Sequence, residues 1–104
     1  MVDIFLDKID NTGNFAGVFE ANEEVGYFYL YKIKNQPTQR IVGALQVLIG
    51  PPDFTTEEAD IQWFENGSKV GFFIRKELWA YFDLKSGQGN SGSYPKAPLS
   101  WSSQ

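Results

Sequence analysis

One stretch of the chain, Ala59 to Leu84 (ADIQWFENGSKVGFFIRKELWAYFDL), constrains the fold more than any other. It reads as three successive antiparallel strands, Ala59 to Glu65, Ser68 to Ile74 and Leu78 to Asp83, joined by two tight turns. Asn66-Gly67 is the stronger turn signal, because both central residues of a type I′ hairpin need positive φ and these two tolerate it. Along the strands Val70, Phe72 and Ile74 share one face while Gly71 and Phe73 share the other, and Trp79 and Tyr81 alternate with Leu78, Ala80 and Phe82. Strands apolar on both faces belong in a sheet that is covered on both sides, so the rest of the chain has to supply cover.

The preceding residues read the same way. Ile4 to Leu6 is a short apolar run suited to an edge strand, and Asp10, Asn11, Thr12 and Gly13 signal a turn. This acidic segment is not a calcium loop, since counting back from Gly13 puts Lys8 where the first oxygen ligand should be. Phe15 to Glu20, Val25 to Ile33 and Arg40 to Ile49 follow as strands. The third strand, Val25 to Ile33, carries Val25, Tyr27, Tyr29, Tyr31 and Ile33 on one face and Gly26, Phe28, Leu30 and Lys32 on the other. Gly50-Pro51-Pro52 ends the sheet, because proline cannot donate to a ladder. Thr55-Thr56-Glu57-Glu58 has the spacing of a capping box and room for one helical turn. No window holds an apolar 3.6-residue repeat over three turns. The expected fold is therefore all-β: an antiparallel meander of six or seven strands forming a barrel or a sandwich, with at most one short helical turn. At 104 residues it is expected to be a single domain, residues 1–104, with 85–104 either a loose tail or an edge strand docked by Tyr94, Leu99 and Trp101.

Composition excludes more than it assigns. The chain has no histidine and no cysteine. The usual general base, the Ser-His and Cys-His nucleophile pairs and thiolate metal sites are therefore ruled out, and neither an enzyme, a metal nor a cofactor is expected. With 13 acidic residues against 9 basic the formal charge is −4, which argues against nucleic-acid binding and favours a basic partner. Lys69 to Ile74 echoes the basic-Gly-aromatic run of RNA-recognition motifs, but that fold needs two helices this chain does not offer. The start lacks the basic and apolar regions of a secretion signal and no segment is long enough to span a bilayer, so a cytoplasmic protein without membrane contact is expected.

The placement of charge is informative. If consecutive strands run up and down, the loops Ala21 to Glu24, Gly50 to Glu58 and Arg75 to Glu77 fall at one end. With strand-end neighbours that end holds eight carboxylates (Glu20, Glu23, Glu24, Asp53, Glu57, Glu58, Asp60 and Glu77) against Arg75 and Lys76. The opposite end gathers Lys32, Lys34, Arg40, Lys69 and Lys85 against Glu65 and Asp83. Solvation explains why charges sit in loops but not why their signs are sorted; a focused acidic end speeds encounter with a cationic partner. The tyrosine stripe with Trp63 (Tyr27, Tyr29, Tyr31, Trp63) offers an alternative site, although tyrosines packed over a sheet with hydroxyls at the rim are the commoner arrangement.

Gly26-Tyr27-Phe28-Tyr29, Ile41-Val42-Gly43-Ala44-Leu45, Ile61-Gln62-Trp63, Ser68 to Ile74 and Trp79-Ala80-Tyr81-Phe82-Asp83 together resemble a family of small uncharacterised bacterial β-proteins, over Phe19 to Leu84. Chains of this size and charge are also similar in type to immunity proteins of bacterial toxin systems, including contact-dependent growth inhibition. That resemblance implies a cognate toxin domain as partner, in particular a nuclease with a basic active site, bound through Glu23, Glu24, Asp53, Glu57, Glu58, Asp60 and Glu77. The alternative, from another class, is a small-ligand or carbohydrate-binding β-domain using the aromatic face.

Overall fold

Strand alternation decides the architecture, and a computed structural model describing residues 3–96 and Leu99 shows how. Eight strands are described: β1 (Ile4–Ile9), β2 (Phe15–Ala21), β3 (Val25–Lys32), β4 (Ile41–Ile49), β5 (Ala59–Phe64), β6 (Lys69–Ile74), β7 (Glu77–Asp83) and β8 (Gln88–Ser91). They form two four-stranded antiparallel meanders, β1-β2-β3-β4 and β5-β6-β7-β8, packed face to face as a sandwich. The connection that begins at Gly50-Pro51-Pro52 carries the chain from one sheet to the other, so β4 and β5 do not pair and no barrel closes.

The eighth strand exceeds the six or seven expected. Gln88, Gly89, Asn90 and Ser91 carry no apolar alternation, yet they pair with Asp83, Phe82, Tyr81 and Ala80. Of the two alternatives left for the residues after Leu84, Tyr94 takes the docked one: its N–H donates to the Val47 carbonyl at 3.0 Å, and its ring lies 4.8 Å from that of Trp79. The Leu99 N–H donates to the Leu78 carbonyl; Trp101 lies outside the described residues. Beside the capped turn at Thr56–Glu58 there is a second 3-10 turn, Pro37–Gln39, begun by proline at its first position. No helix among the described residues is long and apolar enough to cross a membrane.

The two faces of each sheet differ in what their side chains need. In the first sheet the inward rows carry Phe19, Phe28, Leu30 and Leu48, which have no polar atom to satisfy, and the outward rows carry the tyrosines, whose hydroxyls stay near water. Across the gap Phe19 stacks on Phe72 with ring centroids 3.9 Å apart, and Phe28 packs on both Phe72 and Phe82. Such aromatic pairs add about 0.5–1.5 kcal/mol beyond the area they bury. The sheets approach closely because glycines face inward opposite bulky partners. A Cβ at Gly17 would sit 2.8 Å from Val70, and one at Gly43 would sit 2.6 Å from the Phe82 ring.

The turns differ from expectation in register. Phe64 pairs with Lys69, so the β5–β6 loop has four residues, with Glu65, Asn66 and Gly67 all at positive φ. The two-residue turn is instead Arg75-Lys76, between the paired residues Ile74 and Glu77, with φ of 50° and 71°. Neither residue favours that region, in which non-glycine residues cost about 1–2 kcal/mol.

Candidate functional site

The acidic loops meet at one end of the sandwich. The Gly50 N–H donates to the Glu24 carbonyl at 2.7 Å and the Arg75 N–H to the Glu58 carbonyl at 2.8 Å, joining the β2–β3, β4–β5 and β6–β7 connections. Of the expected contact residues, Glu23, Glu24, Asp53, Glu57, Glu58, Asp60 and Glu77 are all exposed. Asp3, which strand-end counting leaves out, belongs with them: it lines a cleft with Glu20 and Asn22. Its neighbour Ile4 pairs with Ala21, which brings the start of β1 to this end.

The end is not uniformly negative. Arg75 reaches back across it, its Nε donating to Glu58 Oε2 at 3.1 Å and its Nη2 to the Asp53 carbonyl at 3.1 Å. Its Nη1 donates to the Tyr94 hydroxyl at 3.3 Å, and that hydroxyl donates in turn to the Asp53 carboxylate. Arg75 thus ties the β4–β5 connection to the segment after β8. Glu58 also accepts from the Thr55 N–H at 3.0 Å, the reciprocal half of its capping box. These bonds, from Arg75 first and Thr55 second, hold the Glu58 carboxyl below the usual glutamate range. Burial and the hydrogen bond to Asp53 push the Tyr94 hydroxyl upward. Glu58 and Asp53 therefore serve the fold, whereas Glu23, Glu24 and Glu57 project from the same end outside that tie.

At the opposite end the Leu84 N–H donates to the Ser68 carbonyl and the Ile33 N–H to the Asn14 carbonyl, gathering the other turns. Lys69 pairs with Glu65 at 3.2 Å, while Lys32, Lys34, Arg40 and Lys85 are exposed. Asp10, the most buried carboxylate described, spends its oxygens on its own turn, accepting from the Thr12 hydroxyl and the Asn14 N–H. The sorting of sign by end is thus present in three dimensions.

The aromatic alternative divides. Tyr27, Tyr29 and Tyr31 form one half-buried stripe on the outward face of the first sheet, Tyr27 and Tyr29 stacked at 5.8 Å and Tyr31 edge-on to Tyr29. Burial, then the charge of Glu20, raises the pKa of the Tyr29 hydroxyl. Trp63 does not join them. It pairs with Val70 on the inward side of the second sheet, packs against the core, and its indole N–H donates to the Lys8 carbonyl at 3.0 Å, bridging the two sheets.

The family model for uncharacterized proteins conserved in bacteria, DUF2251, matches residues 3–104. This chain belongs to that family. The match runs beyond Phe19 to Leu84 and takes in β1, β8 and the residues after it, so the whole sandwich is the family's unit. No curated protein and no solved structure matched.

Proposed function

We propose that this DUF2251 member is an immunity-type inhibitor that binds a cognate bacterial toxin domain in the cytoplasm and blocks it through its acidic end. A nuclease is the toxin class that fits best, because its active site is basic in order to hold phosphates, and an acidic surface competes for it. The observation that carries the reading is the convergence of three separate loops into one exposed acidic end, with the cations sorted to the other. Such separation focuses the field that steers a cationic partner, and the anchoring of the β4–β5 connection by Arg75 lowers the ordering cost of docking there. The ligand-binding alternative is weakened by the displacement of Trp63 from the tyrosine stripe.

The test is co-expression. The product of the neighbouring open reading frame, the proposed toxin, is induced in a bacterial host with and without this chain. Rescue of growth, together with co-purification of a one-to-one complex, is the expected result. Unrelieved toxicity without complex formation would refute the reading.

A further inference from the structure

The outward face of the first sheet is a second surface, which borders the acidic end at the cleft that Asp3 and Glu20 line. Its residues fall in rows across the four strands: Phe5, Glu20, Tyr27 and Gln46, then Asp7, Val18, Tyr29 and Ala44, then Ile9, Ala16, Tyr31 and Ile41, with Val25 and Ile49 beyond the first row. All the large apolar residues that stand exposed among the described residues lie on β1 and β4, the two edges of this sheet, with Phe5 59% and Ile49 80% exposed. Phe5 and Ile9 rim one edge of the face and Ile41, Val42 and Ile49 the other, with the half-buried tyrosines between them.

The charges on this face say what kind of occupant suits it. Asp7 and Glu20 stand among the aromatics, and no lysine or arginine shares their rows. A second copy laid face to face would desolvate these carboxylates and bring no cation from its own rows to pair them, which is unfavourable. A cationic side chain is favoured twice, by the carboxylates and by the negative faces of the tyrosine rings. There is also a place for one. A cleft of ≈ 320 Å³ opens between Phe5, Val25 and Tyr27, with Asp3 and Glu20 at its sides.

We propose that this face docks a protein segment in which lysine or arginine alternates with apolar residues, and that the cleft between Phe5 and Tyr27 seats one of its cationic side chains. The inference does not rest on the toxin reading and stands if that reading fails. The test is amide chemical-shift mapping of the whole chain against three ten-residue peptides, alternating arginine with valine, arginine with serine, and glutamate with valine. The arginine–valine peptide is expected to bind at least tenfold more tightly than either other peptide and to shift amides of Phe5, Val18, Tyr27, Tyr29 and Ala44 most. Asp7→Lys with Glu20→Lys should reduce its affinity tenfold or more. If that variant loses its dispersed spectrum, Asp7→Asn with Glu20→Gln should show the loss instead. Equal binding of the two arginine peptides, or shifts centred on residues 23–24 and 50–58, would overturn the proposal. So would a concentration-dependent dimer in sedimentation that buries these same amides, since a second copy would then be the occupant.

Discussion

At the scale of single residues, the interior depends on glycines whose role is to be small. Gly43 faces inward over Phe82, and a Cβ at Gly89 would also lie only 2.7 Å from that ring. Hemmed in by both, the ring has little room to retreat, so Gly43→Ala should cost about 1–3 kcal/mol, the usual range for overpacking. A urea midpoint unchanged from the parent would show that the sheets can part. Gly67 and Lys76 make a complementary pair, both at positive φ in the turns on either side of β6. Gly67→Val should destabilise by more than about 1 kcal/mol, and Lys76→Gly should stabilise by about 1 kcal/mol, because each exchange adds or removes a side chain where the backbone is left-handed. Melting temperatures moving in opposite directions would confirm both assignments. The first turn was legible because asparagine and glycine advertise it. The second was legible in position, at Arg75 to Glu77, but not in register, since arginine and lysine carry no turn signal and adopt the conformation under the constraint of the Ile74–Glu77 pairing.

At the scale of elements, the strands from β2 to β7 could be read from alternation because each presents apolar residues with period two. Strand β8 could not, because Gln-Gly-Asn-Ser is held by its ladder to β7 and not by side-chain burial. Alternation also put Tyr27, Tyr29 and Tyr31 on one face but could not say which face was inside, as both were apolar. Packing decides it: the phenylalanine face of β3 meets Phe72 and Phe82 of the other sheet. The single turn at Thr56–Glu58 was legible from its capping box, yet the same glutamate has a second role that no spacing reveals, as the partner of Arg75. Its folded-state pKa lies below its unfolded value, so its contribution to stability is present above the ordinary glutamate pKa of about 4.3 and is lost as pH falls through the lower, folded value. Urea midpoints measured down through that window should fall more steeply for the parent than for Glu58→Gln. Parallel slopes would mean that the Arg75 tie does not persist in solution.

At the scale of the whole molecule, charge is distributed by topology. An up-and-down meander sends alternate connections to opposite ends, and the chain uses this to place acidic and basic loops apart. The sorting was legible because it needs only strand order. The contribution of Asp3 was not, since it depends on β1 pairing with the end of β2. Nor was the internal neutralisation of Glu58 by Arg75, which brings together residues 17 positions apart. That neutralisation determines which substitutions test the interface without disturbing the fold. Glu23 and Glu57 are exposed and outside the Arg75 tie, so reversing them should leave stability nearly unchanged. Calorimetry of the proposed toxin partner, the product of the neighbouring open reading frame, titrated with Glu23→Lys plus Glu57→Lys and, as the opposite-end control, with Lys32→Glu plus Lys34→Glu, is the most direct measurement. Removing one partner of a charged, hydrogen-bonded pair buried in an interface costs about 2–5 kcal/mol, or tens- to thousands-fold in affinity. The account predicts a weakening of that size from the glutamate pair and affinity within about twofold of the parent from the lysine pair; equal weakening by both, or weakening by the lysine pair alone, would contradict it.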